Sequence, residues 1–473
     1  MGVEMAKPLQ LRRTPGKPAT ARALAKPASK FTPNALLAIG LWLLLWSGYN
    51  TDMGRFSNPA FPTDTLDFIH GLRAFGPMLA GWVACLVIFT RLNRLGYWII
   101  SPLGLLLLYT ITGLVSSATL SADPVFALYF GGNYLAIVLV LLAIVLVENP
   151  LPDLLMALRF TWVVGTMLTL ALLGAIPVIG SEVIIPTEAS PVGMRAYSGV
   201  GTIMGMASTR NTGFARYAAI SALAALPGVL RKSNSLKIRI TCGVLFCASF
   251  YALVLANGRT ETAAFLAGLF VILAANKAKR TVYFLVAVAG GILLGLRGFF
   301  SHLFMYFTRT GRIDTTLTGR TQIWAEGWRI FWKSPWIGLG FQADRVFMEG
   351  WHLHNAFLHV MLQSGFLGGA AAIAALVIVW GYTIYYFFIH PPADQSLIPG
   401  EIPAILLFTT LSSVTESTFA YYSAAWLLSA PIFAYVIALH RHMRRMSSKA
   451  ALESAARARA LKVKAKRPRI LQS

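Results

Sequence analysis

Residues 125–147 read VFALYFGGNYLAIVLVLLAIVLV, a run of 23 positions without one charged side chain. As an α-helix such a run extends about 34 Å, enough to cross a hydrocarbon core of about 30 Å. A backbone surrounded by lipid must satisfy its own hydrogen bonds, so only helices and closed barrels span a bilayer. Barrel strands alternate polar and apolar residues; this run does not. It reads as one membrane helix.

The rest of the chain repeats the pattern. Of its 473 residues 56% are hydrophobic and 12% charged, about half the charged share usual in soluble domains. Apolar runs fall at 33–49, 72–90, 96–116, 125–147, 155–178, 215–230, 239–256, 261–276, 281–297, 355–388, 400–416 and 419–440. The expected fold is all-α, a polytopic membrane helical bundle of about 12 spans. The run at 355–388 is too long for one simple crossing. It is expected to begin as a short surface helix and to break near Gly365.

The net charge of +23 would suggest nucleic acid in a soluble protein. Here the charge sits in two tails and in short turns such as RKSNSLKIR (231–239). Placing the N-terminus in the cytoplasm puts 28 of the 41 Lys and Arg on the inner side, as the positive-inside rule requires. Both termini are then cytoplasmic. Residues 1–32 are expected to form a basic disordered tail, 33–440 the membrane bundle and 441–473 a second basic tail. The C-terminal tail suits anionic membrane lipids, with no nucleic acid as partner. The N-terminal tail lacks the features of a cleaved signal peptide, so the first apolar run is expected to be retained. Cys85, Cys242 and Cys247 lie in apolar runs and read as packing residues, without disulfide or zinc spacing.

This alternation leaves two long loops outside, 179–214 and 298–354, the second between spans nine and ten. The second contains LTGRTQIWAEGWRIFWKSPWIGLGFQ (317–342). Apolar residues at 323, 324, 328, 330, 331 and 332 suit an amphipathic helix, and SPWIGLGFQ supplies turn formers after it.

Several polar groups far apart in sequence converge on the outer face. Arg210 and Arg216 stand at the start of span six, Arg259 in the turn NGRTET (257–262), and Arg320 and His354 in the large loop. Each arginine could snorkel to headgroups. Arg259 is the most informative, because Asn-Gly alone would make the turn. Several guanidiniums at one site suit a phosphate or diphosphate, whose oxygens pair with planar forks. Glu416, at the outer end of span eleven, either pairs with one of these arginines or faces water. TDTLD (63–67) reads as a solvated loop, and GVGTIMG (199–205) follows no strand of a nucleotide-binding unit.

WHLHNAFLHVMLQSG (351–365) holds three of the eight histidines. Metal ligation, helix-end polarity and general-base chemistry are its three readings. His352 and His359 could share a helix face, yet no Cys, Asp or Glu other than Glu349 sits nearby at metal spacing. An imidazole, with an ordinary pKa of about 6.5, can take a proton from a hydroxyl. His354-Asn355 would present both groups at a helix start. No metal and no cofactor is expected.

NGRTETAAFLAG (257–268), TLTGRTQIWAEGWRIFWKSPWIGLGF (316–341) and HNAFLHVMLQSGFLGG (354–369), in that order, resemble the O-antigen ligase and polymerase superfamily of bacterial membrane glycosyltransferases. The resemblance covers roughly 195–420, and TLTGRTQIW looks closer to the exopolysaccharide polymerases. It implies a helical bundle of the bacterial inner membrane with a large periplasmic loop. It further implies metal-independent, inverting transfer of a glycan from undecaprenyl diphosphate to a sugar hydroxyl at the periplasmic face. The acceptor would be another lipid-linked glycan in a polymerase or lipid A-core in a ligase, and a chain-length regulator protein is a candidate partner. By motif, His354 would be the base, and Arg259 and Arg320 would hold the diphosphate, with Arg216 or Arg210 completing that site. Asn355 and Glu416 would support it. A polysaccharide transporter or flippase is the rival reading, although transporters place binding groups near the midplane. A scaffold would leave the arginines unexplained. The family does not require the basic tails.

Overall fold

The computed structural model describes residues 33–48, 72–147, 150–179, 202–203, 206–207, 211–256, 258–275, 320–348, 352–392, 394 and 397–466. Five helices come first: α1 (Pro33–Ser47), α2 (Gly76–Phe89), α3 (Pro102–Thr119), α4 (Pro124–Val145) and α5 (Pro150–Ile179). A ribbon of two-residue strands, β1 (Thr202–Ile203) and β2 (Met206–Ala207), precedes α6 (Asn211–Leu230). Then follow α7 (Leu236–Leu255) and α8 (Arg259–Ala275). The large loop contributes α9 (Arg320–Phe331) and α10 (Ala343–Phe347). Last come α11 (Ala356–Ile384), α12 (Glu401–Thr415) and α13 (Ala424–Lys466).

Eleven of the twelve predicted runs thus coincide with helices. The run at 281–297, the tail 1–32, TDTLD and Arg210 lie outside the described residues. Among the described residues seven helices are long and apolar enough to cross a membrane, and α1, α2 and α12 are shorter apolar helices. The chain is an all-α, multi-pass membrane protein.

Local chemistry sets the helix starts. Proline stands in the first turn of α2, α3 and α4, where its missing N–H removes no bond. Pro102 moves the start of α3 inward from the predicted residue 96, leaving a separate turn at Gly96–Ile99. Asp123 caps α4 by accepting the Phe126 N–H at 3.1 Å. At the other end of the chain α13 continues through the basic tail to Lys466, because Ala, Lys and Arg there are strong helix formers.

Wholly buried Trp42, Tyr134, Trp426 and Phe433 bring α1, α4 and α13 into one core. By contrast α7 exposes Leu236, Ile240, Val244 and Val254, as expected of a lipid-facing helix. Charged groups far apart in sequence meet: Arg231 pairs with Glu401 at 3.3 Å, while Arg216, Arg320 and His354 all reach Glu416.

The predicted break in the long run is real. Gly365 has φ 64° and ψ −166° inside α11, a region open essentially to glycine alone. The kink frees backbone groups, and the loop 335–340 takes them up. Leu339 and Gly340 donate to Leu362 and Gln363 at 2.9 Å, and Phe366 and Leu367 donate to Pro335 and Trp336 at 2.7 and 3.1 Å. SPWIGLGF and MLQSGF are therefore complementary halves of one joint. Phe341 then plugs between Gly113 of α3 and Gly131 of α4, where any Cβ would lie within 2.7 Å of its ring. Irregular backbone is tolerated in the bundle because it is satisfied by protein.

Candidate active site

The site is built around the C-terminal end of α12. A helix end leaves carbonyls without intrahelical donors and carries partial negative charge. Here side chains from two other segments supply the donors. Asn355 Nδ2 donates to the Val414 carbonyl at 3.1 Å, and Arg320 donates to the Thr415 carbonyl. The next residue, Glu416, is buried and turns away from the helix in extended conformation.

Glu416 gathers three cationic or polar partners. Its Oε1 lies 3.2 Å from Arg320, and its Oε2 lies 3.1 Å from His354 Nδ1 and 3.9 Å from Arg216. Arg216 is steadied by its own Nε bond to the Thr212 carbonyl at 3.1 Å. With Nδ1–H donated to a carboxylate, the His354 imidazole keeps Nε2 as its acceptor.

Three segments hold the backbone around His354 in place. Asn355 caps α11 by accepting the Leu358 N–H at 3.0 Å. On the other side, Leu353 donates its N–H to Asp344 at 3.1 Å and accepts from Trp324 Nε1 at 2.8 Å. Between these anchors His354 adopts φ 50°, the left-handed region. For a residue with a Cβ this costs on the order of 1–3 kcal/mol and persists where neighbours overdetermine it. The amphipathic helix α9 comes close enough because Gly327 has no Cβ; one would stand 2.3 Å from Leu353 Cδ2. Ile330 and Phe331 cover the same small core, while Trp328 and Trp332 face outward.

Asp344, which sequence reasoning passed over, organises the other two histidines. Its carboxylate accepts His352 Nδ1 at 2.7 Å and lies 3.1 Å from His359 Nε2. Burial pushes the His352 imidazole down to about 3, against the pull of Asp344, so the ring is neutral near pH 7. Burial alone would raise the Asp344 carboxyl, but His359 and His352 outweigh it and hold the carboxyl well below its usual range. The His352 ring centroid is 4.6 Å from that of His354. The three histidines differ in place: His354 faces the charged cluster, His352 bonds Asp344, and His359 is packed in the interior. Ligand atoms of Asp344, His352 and His359, and of His352, His354 and Glu416, lie within 4.8 Å of one another. Asp344 Oδ2 and both Glu416 oxygens are already engaged by nitrogen groups, whereas Asp344 Oδ1 and His359 Nε2, 3.1 Å apart, form no hydrogen bond among the described residues.

Glu261 is the second residue that sequence reasoning left without a role. It is buried in the first turn of α8 and feels the charges of Glu416, Arg216 and Arg320. Gly258 permits this, since a Cβ there would be 2.7 Å from Ala215 and 2.8 Å from Glu261 Oε2. The turn carrying Arg259 is thus pressed against α6 beside Arg216. Glu261 stands two places after Arg259 in NGRTET, an acidic residue in an apolar run, and that was its only signal.

Residues 244–373 match the family described as O-Antigen ligase. Over that stretch, about a quarter of the chain, the sequence is similar to O-antigen ligases. The matched stretch runs from within α7 through α8, α9 and α10 into α11, and so takes in Arg259, Arg320 and His354; Arg216 and Glu416 lie outside it. Over 178 residues the chain is 25% identical to the exopolysaccharide production protein ExoQ of Rhizobium meliloti (strain 1021). That alignment covers 34% of this chain and 40% of the relative, less than half of each.

Proposed function

We propose that the protein transfers a glycan from undecaprenyl diphosphate to a sugar hydroxyl, extending a surface polysaccharide. The observation that carries this reading is the His354–Glu416 contact of 3.1 Å beside Arg216 and Arg320. It joins a proton acceptor to cations that suit a diphosphate.

In the proposed step His354 Nε2 takes the proton of the acceptor hydroxyl. The hydroxyl oxygen forms a bond to the anomeric carbon as the bond from that carbon to the diphosphate oxygen breaks. Undecaprenyl diphosphate departs with the electron pair, and the anomeric configuration inverts. Arg320 and Arg216, with Arg259 on the adjoining turn, offset the charge that grows on the leaving group. Arg210 would join them at the start of α6. Glu416 holds the tautomer of His354 and keeps the arginines in place before the donor arrives. Glu261 is a second internal counter-ion. No metal takes part.

The likeness to an exopolysaccharide production protein supports a polymerase, whereas the match to the family described as O-Antigen ligase supports transfer to lipid A-core. Polymerase is the reading we favour. The positive-inside bias supports a site at the periplasmic face of the inner membrane. The test is a cell-free assay with purified protein and lipid-linked glycan, without any ion gradient. Longer glycans are expected from the parent protein and none from His354→Ala. Normal product from His354→Ala would sink the proposal, and uptake without bond formation would indicate a transporter.

A further inference from the structure

At the opposite end of the bundle a cavity of about 300 Å³ opens between three segments. Arg94, in the turn after α2, and Arg441, His442 and Arg445, on α13, supply its polar wall; Leu146 and Pro150, at the α4–α5 turn, supply part of its apolar wall. Arg441 stands 17 residues beyond Ala424, the start of α13, or about 25 Å along the helix. The chain reaches Ala424 just after Tyr421, whose ring lies 5.8 Å from that of His352. The cavity is therefore separated from the His354 site by the thickness of the bundle.

Among the described residues its charges are unbalanced. Every other arginine discussed above for which an ion pair is described has a carboxylate partner: Arg231 with Glu401, Arg216 and Arg320 with Glu416. Arg94, Arg441 and Arg445 form no ion pair among the described residues, and no described carboxylate lines the cavity. Glu148, next in sequence to Val147, lies outside the described residues. Among the described residues Arg441 is held by aromatic rings rather than by a carboxylate, its guanidinium 4.7 Å from the ring of Tyr97 and 4.9 Å from that of wholly buried Trp98. A cation stacked on aromatic faces keeps its charge and loses its freedom. Three like charges around one cavity repel each other, and an anion bound there removes that repulsion.

We propose that this cavity binds a phosphate group at the membrane surface opposite His354. The guanidinium forks recognise phosphate oxygens, and the apolar wall suits the glycerol and first methylenes of a phospholipid. Free phosphate shares the recognised chemistry but would leave the apolar wall unused. The inference does not rest on the proposed glycan transfer.

Thermal unfolding of the full chain in detergent tests it, with phosphatidylglycerol, phosphatidylcholine or inorganic phosphate added. Phosphatidylglycerol is expected to raise Tm by about 2–4 °C and phosphatidylcholine to leave it unchanged. The variant Arg94→Gln/Arg445→Gln changes two exposed side chains; it should unfold near the parent temperature without additive and lose the shift. His354→Ala should keep the shift, which separates this site from the catalytic one. A shift with inorganic phosphate alone, again lost in the double variant, supports the same site with a soluble ligand. If neither phosphate source shifts Tm, or the double variant keeps the full shift, the assignment is wrong.

Discussion

His354 Nδ1 and Glu416 Oε2 lie 3.1 Å apart although 62 residues separate them. The same carboxylate carries Arg216 and Arg320, so one side chain fixes both the tautomer of the proposed base and the cations of the proposed leaving-group site. The proton-accepting and charge-offsetting parts of the chemistry are therefore mechanically coupled.

His354→Asn removes the acceptor nitrogen but keeps a polar side chain at the same loop position. Glycan extension by purified protein is expected to fall by about 10²–10⁴-fold, while Tm moves by only a few degrees. Glu416→Gln should lose activity as well and unfold earlier, since breaking a buried ion pair costs about 3–5 kcal/mol. Equal Tm for Glu416→Gln and the parent would contradict the buried ion-pair geometry.

Arg320→Lys preserves charge and loses the two-pronged contact with Thr415 and Glu416. Hydrogen bonds to charged groups contribute about 1.5–3 kcal/mol, so kcat/KM for the lipid-linked donor should drop by about 10–100-fold. Steady-state kinetics with a varied donor concentration checks this. A lysine variant as active as the parent would mean that the guanidinium fork is not used.

Gly365→Ala places a Cβ 2.3 Å from the Trp336 backbone at φ 64°. Strain of about 1–3 kcal/mol adds to that overlap, and a sharp loss of folded protein is expected. Gly381→Ala, on the same helix with nothing within 4 Å, should be neutral or slightly stabilising. Membrane yield and thermal unfolding of the two variants give the comparison.

The His352–Asp344 pair predicts an acid-sensitive loop. His352 is depressed to about 3 in the fold and returns to about 6.5 when unfolded. The unfolded state therefore binds the extra proton, and stability falls as pH drops from about 6.5 towards 3, by up to about 1.4 kcal/mol per pH unit. The depressed Asp344 carboxyl works in the same direction, its contribution being lost at still lower pH. Tryptophan fluorescence of unfolding at pH 7, 5.5 and 4 should show the decline. Replacing His352 with Gln should flatten it between pH 6.5 and 4.

Proposed metal independence is checked by chelation. Glycan extension after dialysis against EDTA should match that of untreated protein, and added zinc or magnesium should not raise it. Loss of activity that returns with one metal would reassign the Asp344–His352–His359 or His352–His354–Glu416 trio as its ligands.

Hydropathy is a local property, so ten apolar runs fall within about six residues of described helices, whereas α13 runs on to Lys466, well past the predicted end at 440. The amphipathic period of α9 and the break at Gly365 are equally local, because one depends on side-chain spacing and the other on a missing Cβ. That His354, Arg216, Arg320 and Glu416 would need polar partners was also legible, since charged groups at membrane helix ends are costly to leave unpaired. Which partner each takes was not. Glu416 had two readings until the end of α12 was seen packed against α6, α9 and α11. Asp344 gave no signal, because its meaning depends on two histidines brought to it by a turn and a helix start. The left-handed His354 depends on anchors from Trp324, Asp344 and Asn355 acting together. Sequence determined the membrane bundle and the residue types at its polar face; tertiary packing alone decided their pairing, because contacts between separate helices follow from how their surfaces fit rather than from the order of residues along any one of them.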